Sequence, residues 1–204
     1  NELTKKTIFF EQKILKENVG VQDQIQTCNG GFNLISINKK GEYRILRLDI
    51  DSSLVKEISS KIMLLYTGYK RNSSDFQHKS QNMNSALRNN SLQQIYKISD
   101  QVTSKILNED INFVEFSDFL QETWSHKLRL FPDSENKSKI IEIFEKAKKA
   151  GAISGKLLGA GGGGFFLFFV EEEFQDAFKK KMKDYTVVKH QITNSPCKVI
   201  FNSL

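Results

Sequence analysis

The chain has 204 residues, 39% of them hydrophobic, with two prolines, two cysteines and a formal net charge of +6. That is enough apolar matter for a packed core without covalent staples, and with no run of 18 apolar residues a membrane-spanning helix is excluded. The positive balance suits an anionic partner, either a phosphorylated metabolite or nucleic acid. The basic residues are scattered, however, and the densest group, Lys179, Lys180 and Lys181 with Lys183, falls on a predicted helix. No basic and aromatic residues interleave in the way that stacks bases, so neither a nucleic-acid nor a membrane partner is expected.

In chain order, residues 2–17 read as a helix, with Leu3, Thr7, Ile8, Ile14 and Leu15 near one stripe. Residues 18–24 read as a turn, followed by a short helical or irregular stretch and a break at Gly30-Gly31. Phe32–Asn38 and Tyr43–Leu48 form a predicted hairpin around Lys39-Lys40-Gly41-Glu42. Lys61–Tyr66 is a compact apolar strand that ends at Thr67-Gly68. Three helical stripes follow: Phe76, Met83 and Leu87; Leu92, Ile95, Ile98, Val102 and Ile106; and Phe113, Phe116, Leu120, Trp124 and Leu128. Pro132 stops the third, and Asp133 or Ser134 can cap a fourth helix that runs to Ala150, with Gly151 as its stop.

A strand, a glycine loop and a second strand come next, then a helix over 171–183 and strands near 185–193 and 197–202. This order predicts an α+β fold with a mostly antiparallel sheet. Asp49, Asp51, Ser52 and Ser53 interrupt the apolar pattern, and the expected domain boundary divides residues 1–55 from 56–204.

The segment from Gly155 to Gly164 holds six of the twelve glycines, between one apolar strand and the run Phe165–Val170. A two-residue turn needs one or two glycines. Consecutive exposed N–H groups in such a loop can form an anion-binding concavity; a tight turn between buried strands is the plainer alternative. The Walker-type Gly-Lys-Ser/Thr ending is missing, and Lys156 precedes the glycines.

Asp23 stands between the first helix and Gly30-Gly31. Its carboxylate can accept N–H bonds within its own turn, or project into a cleft and orient a hydroxyl for phosphoryl transfer. Lys70 and Arg71 follow a strand end and could seat a substrate phosphate, Arg71 as a bidentate fork, or form a surface pair. Cys28 and Cys197, far apart in sequence, are expected as reduced thiols. His78, His126 and His190 have no zinc-ligand spacing with them. Trp124 and the Phe165–Phe169 run are expected as core, not as ligand platforms.

These segments resemble a family. Lys156-Leu157-Leu158-Gly159-Ala160-Gly161-Gly162-Gly163-Gly164-Phe165 is similar to the third signature motif of the GHMP small-molecule kinases. Gly20-Val21-Gln22-Asp23-Gln24 and Gly30-Gly31-Phe32-Asn33 resemble the family segment that carries its catalytic aspartate. Tyr66-Thr67-Gly68 with Arg71, Trp124 with Lys127, and Ala150-Gly151-Ala152 add weaker matches toward the heptose 7-phosphate kinase branch.

The resemblance implies the C-terminal part of a GHMP-kinase-like two-domain fold, a mostly antiparallel sheet with helices on one face. Residues 1–55 would then be the remnant of the N-terminal catalytic domain, and 56–204 a ferredoxin-like C-terminal domain. It further implies an ATP-dependent kinase acting on the anomeric hydroxyl of a heptose 7-phosphate, in cytoplasmic supply of lipopolysaccharide or capsule precursors. Asp23 would be catalytic, and Glu11 would assist Mg²⁺, with Gln12 as its neighbour if the register slips. Gly159, Gly161, Gly162 and Gly163 would shape the cofactor and sugar pocket, and Gly20, Lys70 and Arg71 would meet substrate.

The family's Pro-x-x-x-Gly-Leu-Gly-Ser-Ser phosphate loop does not occur here, so the chain reads as roughly the C-terminal 60% of such a kinase. It is expected to bind ATP weakly by itself, since helix N-terminal N–H groups are the usual phosphate cradle. Three alternatives stay open: a fucose- or galactose-type kinase, a non-catalytic fragment or subunit completed by a separate N-terminal half, and a basic binding module. A homodimer is compatible with each.

Overall fold

The structure, a computed structural model, describes residues 2–17, 19–69, 85–132, 134–159, 161–190 and 192–198. Its contacts divide the chain into two compact units: Asn1–Ile50 with Ile192–Leu204, and Asp51–Gln191.

In the first unit, α1 (Glu2–Phe9) passes into a π turn over Phe10–Ile14. The sequence pattern predicted one helix to residue 17. Instead Leu15 N–H donates to Phe10 O at 2.9 Å, an i→i−5 bond that takes in one extra residue. Lys16 then turns left-handed at φ 54, and Glu17 N–H donates back to Glu11 O at 3.0 Å, closing the helix.

Helix α2 (Gln22–Asn29) occupies ground expected in part as a turn. It ends where Gly30, at φ 62, donates its N–H to Gln26 O at 2.8 Å. Strands β1 (Asn33–Ile37) and β2 (Tyr43–Arg47) form the expected antiparallel hairpin, with Ile35 opposite Ile45. Asn38 builds its turn: the side-chain oxygen accepts the N–H groups of Lys40 at 2.9 Å and Glu42 at 3.0 Å.

The second unit opens with α3 (Ser52–Lys61), a helix the sequence reading missed. Asp51, Ser52 and Ser53 look like chain breakers, but Asp51 is an N-cap whose carboxylate accepts the N–H groups of Ser53 and Leu54 at 2.8 and 3.2 Å. Leu54 and Ile58, four residues apart, are buried.

Strand β3 (Ile62–Tyr66) follows, then α4 (Ser85–Leu107), α5 (Phe113–Arg129) and α6 (Glu135–Ala150). The predicted residues Phe76 and Met83 and the alternative cap Asp133 lie outside the described residues. Asn112 and Glu115 make a capping box on α5, Ser134 caps α6, and Gly151 at φ 117 ends it.

Strands β4 (Ser154–Leu157) and β5 (Phe165–Phe169) flank the glycine loop. The helix predicted over 171–183 divides into a 3₁₀ turn (Glu172–Phe174) and α7 (Gln175–Lys181). The last strand is short, β6 (Thr186–Val188); residues 192–198 take no regular structure, so the strand expected from 197 does not begin there.

The four-stranded sheet runs β4-β5-β3-β6 and is antiparallel throughout. Strands β3 and β4, joined through α4, α5 and α6, run parallel with β5 inserted between them, a split βαβ arrangement. The register puts Met63 beside Phe168 and Leu65 and Leu157 beside Phe166, so these side chains share one face. There they meet Trp124, Phe131, Phe144 and Phe178 in a single core. Trp124 lies 5.5 Å from the rings of both Phe144 and Phe166, which places the tryptophan in packing as expected. Phe169 alternates to the other face, where the rings of Phe113 and Phe116 on α5 pack 5.1 and 6.3 Å away.

Candidate active site

The glycine loop owes its shape to two close approaches and a run of left-handed turns. Gly159, Gly161, Gly162 and Gly164 have φ of 68, 112, 81 and 100. A side chain at any of them would strain the backbone. At Gly163 a Cβ would stand 2.6 Å from Tyr69 O, and at Gly155 it would overlap the Phe168 ring at 2.2 Å. Both positions are held open for a neighbour, one a backbone and the other an aromatic ring.

The side chains of Thr67 and Lys127 hold the loop. Thr67, 2% exposed, sits just past β3. Its hydroxyl donates to Gly164 O at 2.9 Å and accepts N–H bonds from Gly164 at 3.1 Å and Tyr69 at 3.3 Å. Lys127, near the end of α5, donates its ammonium to Leu157 O at 2.8 Å and Gly159 O at 2.5 Å. Leu157 O ends β4 and Gly159 O lies in the loop, so the ammonium ties the edge strand to the glycines. A cation there satisfies acceptors that lack a partner strand.

A cavity of 470 Å³ opens against this loop, lined by Tyr66, Tyr69, Leu158, Gly159, Gly163, Gly164 and Phe165. The size suits a small metabolite. Its walls are aromatic and its floor is backbone. Tyr66 and Phe165 face each other across β3 and β5 with ring centroids 5.1 Å apart. Phe165 is 38% exposed, so the expectation that the Phe165–Phe169 run is wholly core fails at its first residue. β-Alternation puts Phe166 and Phe168 inside and leaves Phe165 at the cavity mouth. Lys156, on β4 just before the loop, is largely buried, and burial pulls its ammonium below the usual lysine range.

In the first unit, Asp23 lies in the first turn of α2, exposed, rather than in the turn before it. A carboxylate there is favoured by the helix dipole. Glu11 sits in the π turn, and its carboxylate accepts a hydrogen bond from Gln24 Nε2. Gln24 directly follows Asp23 and is 7% exposed, with its Oε1 lacking a partner among the described residues. The fold thus brings Glu11 to the helix that carries Asp23, across 12 residues of sequence. Gln12, the neighbouring candidate, is taken up otherwise: its Nε2 donates to Val19 O at 3.0 Å. Gly20 is exposed, with nothing within 4 Å of a Cβ placed on it. Lys70 and Arg71 lie outside the described residues.

Asp23 and Glu11 belong to one unit, and Gly159, Gly161, Gly162 and Gly163 to the other. Among the described residues no set of three His, Cys, Asp or Glu side chains is grouped to hold a metal. Mg²⁺ needs fewer, since one or two carboxylates suffice when phosphates and water complete its shell. The hard-oxygen pair Glu11 and Asp23 is of the right chemistry.

Residues 105–186 match the family model for the C-terminal domain of the GHMP kinases. This stretch is similar to a GHMP kinase C-terminal domain. No curated protein matches the sequence. Among solved structures, the chain is similar to a D-glycero-D-manno-heptose 1-phosphate kinase from Bacteriodes thetaiotaomicron, at 22% identity and TM-score 0.63 over 97% of this chain and 55% of that one. A putative sugar kinase from Campylobacter jejuni aligns at 21% identity and TM-score 0.67, over 95% of this chain and 55% of that one. A mevalonate kinase from Methanococcus jannaschii aligns at 19% identity and TM-score 0.65, over 92% and 54%. At these identities the likeness is one of fold, mixed helix and antiparallel sheet. The chain spans just over half the length of the solved structures it matches.

Sequence reasoning found the glycine loop but not what holds it. Thr67 reads as a strand stop and as part of a family likeness, and Lys127 only as part of that likeness. Tyr69 carried no signal at all. A hydroxyl residue and a glycine at the end of a strand hinted at a staple, but its partner lies 97 residues on.

Proposed function

We propose that this chain is the C-terminal part of an ATP-dependent kinase of the GHMP type that phosphorylates the anomeric hydroxyl of a heptose 7-phosphate. The match of residues 105–186 to the family's C-terminal domain supports this reading. Of the structural observations, the one that carries it is the cavity on the glycine loop, with aromatic walls and a backbone floor. A sugar ring can stack its apolar face on Tyr66 or Phe165 while loop N–H groups meet its oxygens.

In this reading Asp23 orients the sugar hydroxyl and takes its proton, in line with phosphoryl transfer working by positioning and charge neutralisation. Glu11, held by Gln24, would contribute an oxygen to Mg²⁺. The cation, when bound, neutralises charge on the transferring phosphate. The glycine loop shapes the sugar pocket, and Lys70 and Arg71 seat the 7-phosphate. Residues 1–55 would belong to the catalytic domain of the parent enzyme, which would work in the cytoplasm, upstream of lipopolysaccharide or capsule assembly. An N-terminal half, fused or separate, would supply the phosphate loop.

A coupled ADP assay on the native protein that contains this chain tests the reading, with heptose 7-phosphate, fucose, galactose and mevalonate compared. Turnover of the heptose phosphate above the others is expected, and Asp23→Asn should lower kcat by roughly 10²–10⁴-fold. ADP release indifferent to all four compounds, or full activity in Asp23→Asn, would refute it.

A further inference from the structure

The two cysteines, 169 positions apart, come together in the first unit. Cys197 Sγ lies 3.9 Å from Cys28 Sγ. Cys28 is on α2 and 5% exposed; Cys197 is exposed, on the irregular segment 192–198. That segment is fastened to α2 by its backbone: Cys197 N–H donates to Thr27 O at 2.9 Å. It also presses on the residue that ends the helix. A Cβ on Gly30 would meet Asn194 O, Ser195 C and Pro196 N, each at 2.7 Å. The glycine is therefore required for the strap to lie where it does, and the strap sets the thiols opposite one another.

We propose that Cys28 and Cys197 form a reversible disulfide that locks the segment 192–198 onto the end of α2. The inference rests on this geometry alone and does not depend on the kinase reading. From 3.9 Å, the sulfurs must approach by about 1.9 Å to reach a bond of ~2.0 Å. A rotation of the exposed Cys197 side chain can supply that movement while Cys28 stays packed. Whether the bond forms depends on the surrounding redox poise, so the pair can work as a switch.

The oxidant is a low-molecular-weight disulfide such as oxidised glutathione. The Cys197 thiolate attacks one glutathione sulfur, forming a mixed disulfide and releasing one glutathione thiolate. The Cys28 thiolate then attacks the Cys197 sulfur, closing the protein disulfide and releasing the second glutathione. Two protein thiols are oxidised, one glutathione disulfide is reduced, and the two thiol protons end on the released glutathiones. The ring so closed contains the whole of the second unit in its covalent path. Its direct mechanical effect falls on α2, which also carries Asp23 five residues before Cys28.

The test exposes the reduced full chain to oxidised glutathione in mildly alkaline buffer, followed by intact mass and non-reducing peptide mapping. The expected product is a monomer lighter by two hydrogens, with the Cys28 and Cys197 peptides joined and released again by dithiothreitol. Hydrogen exchange at residues 192–198 should slow on oxidation. Cys197→Ser should abolish both changes, and because its site is exposed the variant keeps the fold. A stable glutathione adduct on Cys197, a disulfide only between two chains, or an unchanged mass would each overturn the proposal.

Discussion

Replacing Thr67 with valine removes one hydroxyl and leaves the shape of the side chain nearly intact. The structure fixes what is lost. Gly164 O keeps its bond from Thr67 N–H at 2.9 Å, so that acceptor stays satisfied. Gly164 N–H keeps only the longer contact to Tyr69 O at 3.3 Å, and Tyr69 N–H loses its bond to the Thr67 hydroxyl, also 3.3 Å. One donor is weakened and another stranded. An unsatisfied buried group costs roughly 1–3 kcal/mol, so Thr67→Val should destabilise the second unit by about 2 kcal/mol. Thr67→Ser keeps the hydroxyl and drops one methyl, worth about 0.8 kcal/mol by transfer. The order Val worse than Ser is the signature of a polar staple; packing alone would give the reverse.

Trp124 makes the assay specific. It is the only tryptophan of the chain and is 2% exposed in the second unit's core. Its fluorescence through a urea or thermal ramp follows that unit. At roughly 3–6 °C per kcal/mol for a unit of this size, Thr67→Val should lower Tm by about 6–12 °C. A valine variant as stable as the parent, or a serine variant less stable than the valine one, would refute the argument.

Gly155→Ala forces a methyl into the Phe168 ring at 2.2 Å and should cost about 1–3 kcal/mol in the same fluorescence assay, as overpacking does. Phe168 trimmed to leucine in the same chain should recover part of that loss. Lys127→Met strips two loop carbonyls of their charged donor and should cost about 1.5–3 kcal/mol. Asp51 answers to pH. Bonds to Ser53 and Leu54 hold its carboxyl below the ordinary value of 3.8, the Ser53 side chain foremost. A depressed folded pKa means the cap's contribution is present above 3.8 and is lost as pH falls through the lower folded value. An acid titration of stability should therefore be shallower in Asp51→Asn, which keeps a capping oxygen without a proton to bind; an unchanged slope would remove Asp51 from the acid response.

Much of the fold was legible because its signals are local. Leu92, Ile95, Ile98, Val102 and Ile106 recur at helical spacing, and Gly151 sits where a left-handed stop was required. The hairpin at Lys39–Glu42 and the strands on either side of the glycines followed the same logic. The α3 helix was not legible, since Asp51, Ser52 and Ser53 break a helix inside it and start one at its end. One side chain separates the two cases: the Asp51 carboxylate reaching two N–H groups ahead of it. Nor was the π turn, because an i→i−5 bond leaves the apolar spacing of a helix almost undisturbed over so short a stretch.

Sequence by itself determined where the glycine loop and most of the strands and longer helices would fall, α3 excepted, because apolar period and glycine's freedom at positive φ act within a few residues. Only the tertiary structure decided that Thr67 and Lys127 hold the loop, that Phe165 opens onto a cavity while Phe166 packs inside, and that Cys28 meets Cys197. Those outcomes depend on which strand lies beside which. That choice is settled by burying Phe166, Phe168 and Trp124 together, across separations no local pattern records.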